Sequence, residues 1–160
     1  MAREAPAERL PRIGVIGAAS CTAKQARAAG ETGRLIAEAG AVLICGGGPG
    51  VMAAACRGAC QAGGLTVGIL PGGSAGDANP YVKIPIVTGM GYARNVLVVK
   101  SSQAVIAIGG RYGTLSEIAY AAQFDIPIIG LGTWKVRAPI KHVRTPQEAV
   151  RLALKLAVKD

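Results

Sequence analysis

Chemically versatile side chains are scarce in this chain. One histidine, one tryptophan and one phenylalanine occur in 160 residues, and aromatics make up 4%. A Ser-His-Asp or Cys-His pair could draw only on His142, in a basic stretch near the C-terminus where a surface position is expected. The four cysteines, Cys21, Cys45, Cys56 and Cys60, form no Cys-x-x-Cys pair. With one histidine they supply too few ligands for a zinc site, so no metal is expected, and reduced, mostly buried thiols are. No apolar run reaches the ~18 residues of a membrane-spanning helix. The first twelve residues interleave Arg3, Glu4, Glu8, Arg9 and Arg12 with Ala and Pro, without the apolar core of a secretory signal. Residues 1–11 are therefore expected to form a flexible polar tail ahead of one folded domain, 12–160, in a cytoplasmic protein without membrane contact.

What the chain has is apolar bulk, glycine and positive charge. Half of it is hydrophobic (51%) and 23 residues are glycine with no G-x-y period, which excludes disordered, coiled-coil and collagen-like chains. One domain of this length buries enough surface to fold without a staple. The net charge is +9. Its densest part is residues 134–160, where Lys135, Arg137, Lys141, Arg144, Arg151, Lys155 and Lys159 face only Glu148 and Asp160. Basic balance favours anionic partners, although charges spread along a helix also read as a solvated face.

Short β-rich runs alternate with Ala-rich helical stretches. Strands are expected at 13–17, 41–45, 65–70, 84–87, 104–108 and 127–131. Helices are expected at 22 to about 39, 51–62, 91–101, 114–124 and from Thr145-Pro146-Gln147-Glu148, a capping box with proline at the first helical position. Strands apolar at nearly every position are covered on both faces. With right-handed crossovers the pattern predicts a single-domain α/β fold: a doubly wound, Rossmann-like parallel sheet of about six to seven strands. Segment 132–144 has no clear pattern, and Trp134 in it could cover a sheet edge or a partner surface.

Three glycine-bearing turns fall where strands end: Gly17 to Ser20, Gly46-Gly47-Gly48-Pro49-Gly50, and Gly109-Gly110-Arg111-Tyr112-Gly113. Each leads into a helix, whose first amides form an anion site that glycine lets a ligand approach. There is no G-x-G-x-x-G, no acidic residue after the second strand, and no G-K-[ST]. The expected ligand is a mononucleotide-sized phosphate ester rather than NAD or ATP with magnesium. Arg94 could clamp phosphate oxygens bidentately. Glu117 has two readings. It could stand at the mouth of the anion site, or it could complete a capping box with Thr114.

Gly46 to Met52, Arg94-Asn95, and Gly109 to Glu117 together resemble the Lonely-guy superfamily. These are Rossmann-like proteins often mislabelled lysine decarboxylases. Within it the likeness is to a bacterial and archaeal nucleotide-binding branch that includes molybdenum cofactor carriers. It covers residues 12 to about 131. Characterised enzymes of the family cleave the N-glycosidic bond of cytokinin riboside 5′-monophosphates with an arginine and the glutamate of P-G-G-x-G-T-x-x-E. The resemblance implies Arg94 and Glu117 as the catalytic pair. It also implies dimers or larger homo-oligomers. The motif proline is Gly109 here and its second glycine Arg111, which would be strained if that position needs a positive φ, or would add charge to the site. Ala93 and Asn95 replace the enzymes' neighbours of the arginine, and the Gly46 loop is one residue shorter.

Three functions follow as expectations. The first is a nucleoside 5′-monophosphate phosphoribohydrolase requiring no cofactor. Gly17, Ser20, Gly46, Gly47, Gly48, Gly50, Gly109, Gly110, Arg111, Tyr112, Gly113 and Thr114 would hold an AMP-like nucleotide, and Glu117 would stabilise the oxocarbenium-like state. The alternative is a non-catalytic binding or carrier protein for molybdenum cofactor or another phosphorylated small molecule. Nucleic-acid binding ranks last, for want of stacking aromatics and a recognition motif.

Overall fold

The computed structural model describes residues 5–158. Seven strands form one wholly parallel sheet. They are β1 (Arg12–Gly17), β2 (Val42–Cys45), β3 (Thr66–Leu70), β4 (Ile84–Val87), β5 (Ala104–Ile108), β6 (Ile128–Leu131) and β7 (Ile140–Val143), in the spatial order β4-β3-β2-β1-β5-β6-β7. The helices are α1 (Ala23–Glu38), α2 (Val51–Gln61), α3 (Asn95–Lys100), α4 (Tyr112–Gln123) and α5 (Pro146–Leu156). The doubly wound α/β expectation holds. Residues 5–11 are exposed and without regular secondary structure; residues 1–4 of the expected tail, and Lys159 and Asp160 of the basic segment, lie outside the described residues. Among the described residues no helix is long and apolar enough to cross a membrane.

Period-two alternation along the central strands feeds two cores. Ile13 and Val15 of β1, with Ala104, Ile106 and Ile108 of β5, face α1, α2 and α5. Ile16, Val105 and Ala107 face α3 and α4. The edge strand β4 departs from the expectation that every apolar strand is covered on both faces. Its Ile84 and Ile86, in register with Val67 and Ile69 of β3, are exposed, as is Val87. β7 is the strand that segment 132–144 concealed: Lys141 and His142 are exposed, so half of it is polar and no apolar run marks it.

Several helix starts differ from expectation. Residues 91–101 divide into a 3-10 turn, Gly91–Arg94, followed by α3. α4 begins two residues early, at Tyr112. Thr145 caps α5 by accepting from the Glu148 amide at 3.2 Å, but the Glu148 carboxylate accepts from the Arg144 amide rather than from Thr145's, so the box is only half formed. A full capping box, Thr22 with Gln25, closes α1 instead. The Cys45 and Cys56 thiols are buried and share a hydrogen bond at 3.5 Å, with no disulfide between them.

α1 and α2 pack backbone to backbone. A Cβ on Gly33 would stand 1.9 Å from the Ala55 carbonyl oxygen, and one on Gly58 1.9 Å from that of Gly30. This contact sets α2, and the loop that leads into it, beside the end of β1. Gly58→Ala should therefore destabilise the protein by about 2 kcal/mol, because backbone must move. Gly30→Ala, whose Cβ meets only Ala54 O at 3.6 Å, should be neutral or stabilising by up to about 1 kcal/mol through helix propensity. Urea melts of both variants check the contrast.

Candidate functional site

A cleft of about 640 Å³ opens at the carboxyl ends of β1 and β5. Connections leave β1 towards β2 and leave β5 towards β6, on opposite sides, so their loops diverge there. Gly17, Ser20, Gly46, Arg94, Arg111, Tyr112, Gly113, Thr114 and Glu117 line it; Gly47, Gly48, Gly50, Gly109 and Gly110 do not.

The three glycine turns are not equivalent. α1 is closed by its own side chains: the Gln25 amide donates to Thr22 Oγ1 at 3.1 Å, and the Thr22 amide to Gln25 Oε1 at 3.0 Å. At α2 the Val51 amide donates to Ala18 O at 3.1 Å. The Gly47 and Gly48 amides turn inward onto Cys45 Sγ (3.3 Å) and Met52 Sδ (3.4 Å). Asn79 accentuates this inward turn by donating to both carbonyls, from its amide to Gly47 O and from Nδ2 to Gly48 O. Gly50, at φ 66°, lets this loop lie against Ala18 and Ala19, where a Cβ would come within 2.6 Å of their backbone. α4 is different. Its N-cap, Arg111, makes no side-chain cap, and the first amide retrieved by the helix is that of Leu115, on Arg111 O at 3.0 Å. The amides of Tyr112, Gly113 and Thr114 thus keep no acceptor among the described residues, and these three residues line the cleft at the positive end of the helix dipole.

Gly109 and Gly110 act by shape. Their φ values of 55° and 113° make the turn, and a Cβ on Gly110 would meet the Thr114 side chain at 2.5 Å. Arg111 has φ −118°, so the strain conceivable from the departed motif is absent. The turn is held from behind by the loop after β6. Thr133 Oγ1 donates to Gly109 O (2.6 Å) and Trp134 Nε1 to Arg111 O (3.0 Å).

Arg94 lines the cleft and is half-buried. Its Nη2 donates to Gly46 O (3.3 Å) and its Nη1 to Asn95 Oδ1, while Nε is buried without a partner among the described residues. A side chain at Gly46 would stand 2.6 Å from Nη2, so this glycine makes room for the guanidinium. Asn95 Nδ2 donates to Ser116 Oγ, which donates to Gly113 O, tying the arginine to the first turn of α4. Thr114 (2% exposed) and Glu117 (6%) line the cleft, and neither side chain has a hydrogen bond among the described residues. The capping-box reading of this pair therefore fails, because α4 starts at Tyr112 and places both inside the helix. Burial pushes the Glu117 carboxyl up to about 8, partly opposed by the Arg94 charge. Burial also lowers the pKa of Arg94, which as a guanidinium stays charged.

Sequence reasoning brought together Arg94, Glu117 and the α4 turn. It missed Asn95 and Ser116, which sit inside its own motifs, and Thr133 and Trp134, which no motif marks. Among the described residues, no three His, Cys, Asp or Glu side chains gather as metal ligands would.

A sequence model of the SLOG cluster4 family matches residues 10–157. An uncharacterised protein of Archaeoglobus fulgidus is 45% identical over 151 residues, covering 94% of this chain and 99% of that one. The molybdenum cofactor binding protein of Rippkaea orientalis superposes with a TM-score of 0.88 at 37% identity, over 93% of this chain and 98% of that one. The molybdenum cofactor carrier protein of Chlamydomonas reinhardtii does so at 0.83 and 35%, over 91% and 98%.

The Glu117 environment has a consequence for stability. The unfolded chain ionises this carboxyl near 4.5 and the folded chain only near 8. The folded state holds the extra proton between those values, so stability falls as pH rises through the window and levels off above it. Glu117→Gln should match the wild-type melting temperature at about pH 5 and exceed it at about pH 8. An equal difference at both pH values would overturn the buried acid.

Proposed function

We propose that this chain, which belongs to the SLOG cluster4 family, binds and carries a phosphorylated small molecule of the molybdenum cofactor type in the β1/β5 cleft. The observation that carries the reading is the meeting there of an uncapped helix start with a half-buried arginine whose Nε is buried and unpartnered among the described residues. Amides of Tyr112, Gly113 and Thr114 would donate to phosphate oxygens, and the helix dipole would favour their charge. Arg94, anchored by Gly46 O and Asn95, keeps Nε in reserve for the ligand. Gly17 and Ser20 supply the opposite wall. Proteins at 35% and 37% identity, with this fold over nearly their whole length, bind or carry molybdenum cofactor. That likeness supports carriage over hydrolysis. The apolar residues left open on β4 and the Ala-rich face of α4 support a homodimer or larger assembly, with a second copy of the chain covering them.

A second reading, the phosphoribohydrolase, is favoured by one observation: a carboxyl held near 8 inside the cleft beside Arg94 is poised to exchange a proton. Under that reading Glu117 would act on the N-glycosidic bond of an AMP-like nucleotide, with Arg94 orienting its phosphate.

Equilibrium titration with molybdenum cofactor and with AMP separates the two. Carriage predicts that Arg94→Ala weakens binding by at least tenfold, as expected for loss of a charge-assisted contact worth about 1.5–3 kcal/mol, while Glu117→Gln changes it less than threefold. No free adenine should form from AMP above the level of Glu117→Ala. Base release that depends on Glu117 would instead establish the hydrolase.

A further inference from the structure

The phosphate end of the cleft leaves a second feature unexplained. The two most exposed aromatic residues that line it, Tyr92 (87%) and Tyr112 (78%), stand in water at its rim. Rings of this size bury large apolar areas when they find a partner, and this chain has few aromatics to spend. Each is carried on the same segment as a phosphate-directed group. Tyr92 lies in the 3-10 turn that delivers Arg94, and Tyr112 is the first residue of α4.

Tyr112 is also braced. Its ring centre lies 5.9 Å from that of Trp134, at an interplanar angle of 36°. Trp134 is fixed in turn by its indole N–H on Arg111 O, one residue before Tyr112. The chain's single tryptophan therefore lies outside the cleft lining and supports a side chain that belongs to it. A ring held in place before a ligand arrives loses little freedom on binding, which is how an aromatic platform gains affinity for a flat partner.

We infer that the ligand carries a flat heterocyclic ring at the end opposite its phosphate, that Tyr112 is the ring's stacking platform, and that Trp134 is the positioning residue holding it. The inference rests on the phosphate-binding reading above and adds what recognises the rest of the molecule. Tyr92, on the α3 side of the rim, contributes a second aromatic contact. An aromatic platform tolerates different bases because every base has a π face, so purine and pterin phosphates are both accepted.

The test compares ring-bearing with ringless phosphates on the full chain: AMP and neopterin monophosphate against ribose 5-phosphate and inorganic phosphate. Wild type should prefer the ring-bearing compounds by on the order of tenfold or more. Tyr112→Leu should bring that ratio close to one, and Tyr112→Phe should restore it. Trp134→Leu should lower the ratio partway and weaken the quenching of pterin fluorescence that stacking produces, with thermal melts confirming that each variant is folded. An unchanged ratio in Tyr112→Leu would overturn the platform while leaving the phosphate reading intact. So would a change in oligomeric state on light scattering without a change in ratio, which would make the rings a contact between copies. Failure of all four compounds to bind folded wild type would overturn both.

Discussion

The parallel pairing of β1 with β5 is the constraint on which the site depends. Five residue pairs, from Ile13↔Ala104 to Gly17↔Ile108, hold these strands side by side, although about ninety residues of sequence separate them. Because the two strands run the same way, both end at the same rim. Because the chain winds outwards from β1 in one direction and from β5 in the other, nothing bridges the gap above them. Every group assigned to the cleft is placed relative to this pair. The Gly17 loop continues β1, α4 continues β5, and Arg94 reaches in from the turn before α3.

Within that frame, three turns that look alike in sequence differ in where their amides find acceptors. Each of the helix starts α1, α2 and α4 follows a glycine-bearing turn, and each begins with amides that its own helix cannot satisfy. Thr22 and Gln25 satisfy those of α1. Ala18 O takes the first amide of α2, and the preceding glycine amides turn onto sulfur. Only α4 among these three has neither a side-chain cap nor a neighbouring loop over its first turn. The Gly46–Gly50 loop, the richest in glycine, thus serves chiefly to pack. It admits Arg94 at Gly46, and Gly50 lets it lie against the β1 loop.

Charge and burial act together at the back of the cleft. Glu117 and Arg94 are close enough for each to affect the other's protonation, yet they share no hydrogen bond. Desolvation outweighs their attraction, leaving a neutral acid beside a cation at moderate pH. A bound anion would restore a counter-charge to the arginine and leave the acid undisturbed. The favourable charge interaction is thus completed only by such an anion.

Much of the fold was legible because it follows from local regularities. Apolar runs at 13–17, 41–45 and 104–108 can only be strands covered on both faces, and Ala-rich stretches between them supply the crossovers. β7 was not legible, since its exposed Lys141 and His142 break the apolar signal. The site was legible to the extent that glycine, arginine and glutamate mark it. The sequence by itself determined the layered parallel architecture and the places where anion-directed turns could form, because hydrophobic period and helix punctuation act over neighbouring residues. Only the tertiary structure decided which turn stayed open, where Arg94 came to rest, and that Trp134 stands behind Tyr112. Those outcomes depend on which distant donor reaches which acceptor, a matter of packing that no local pattern encodes.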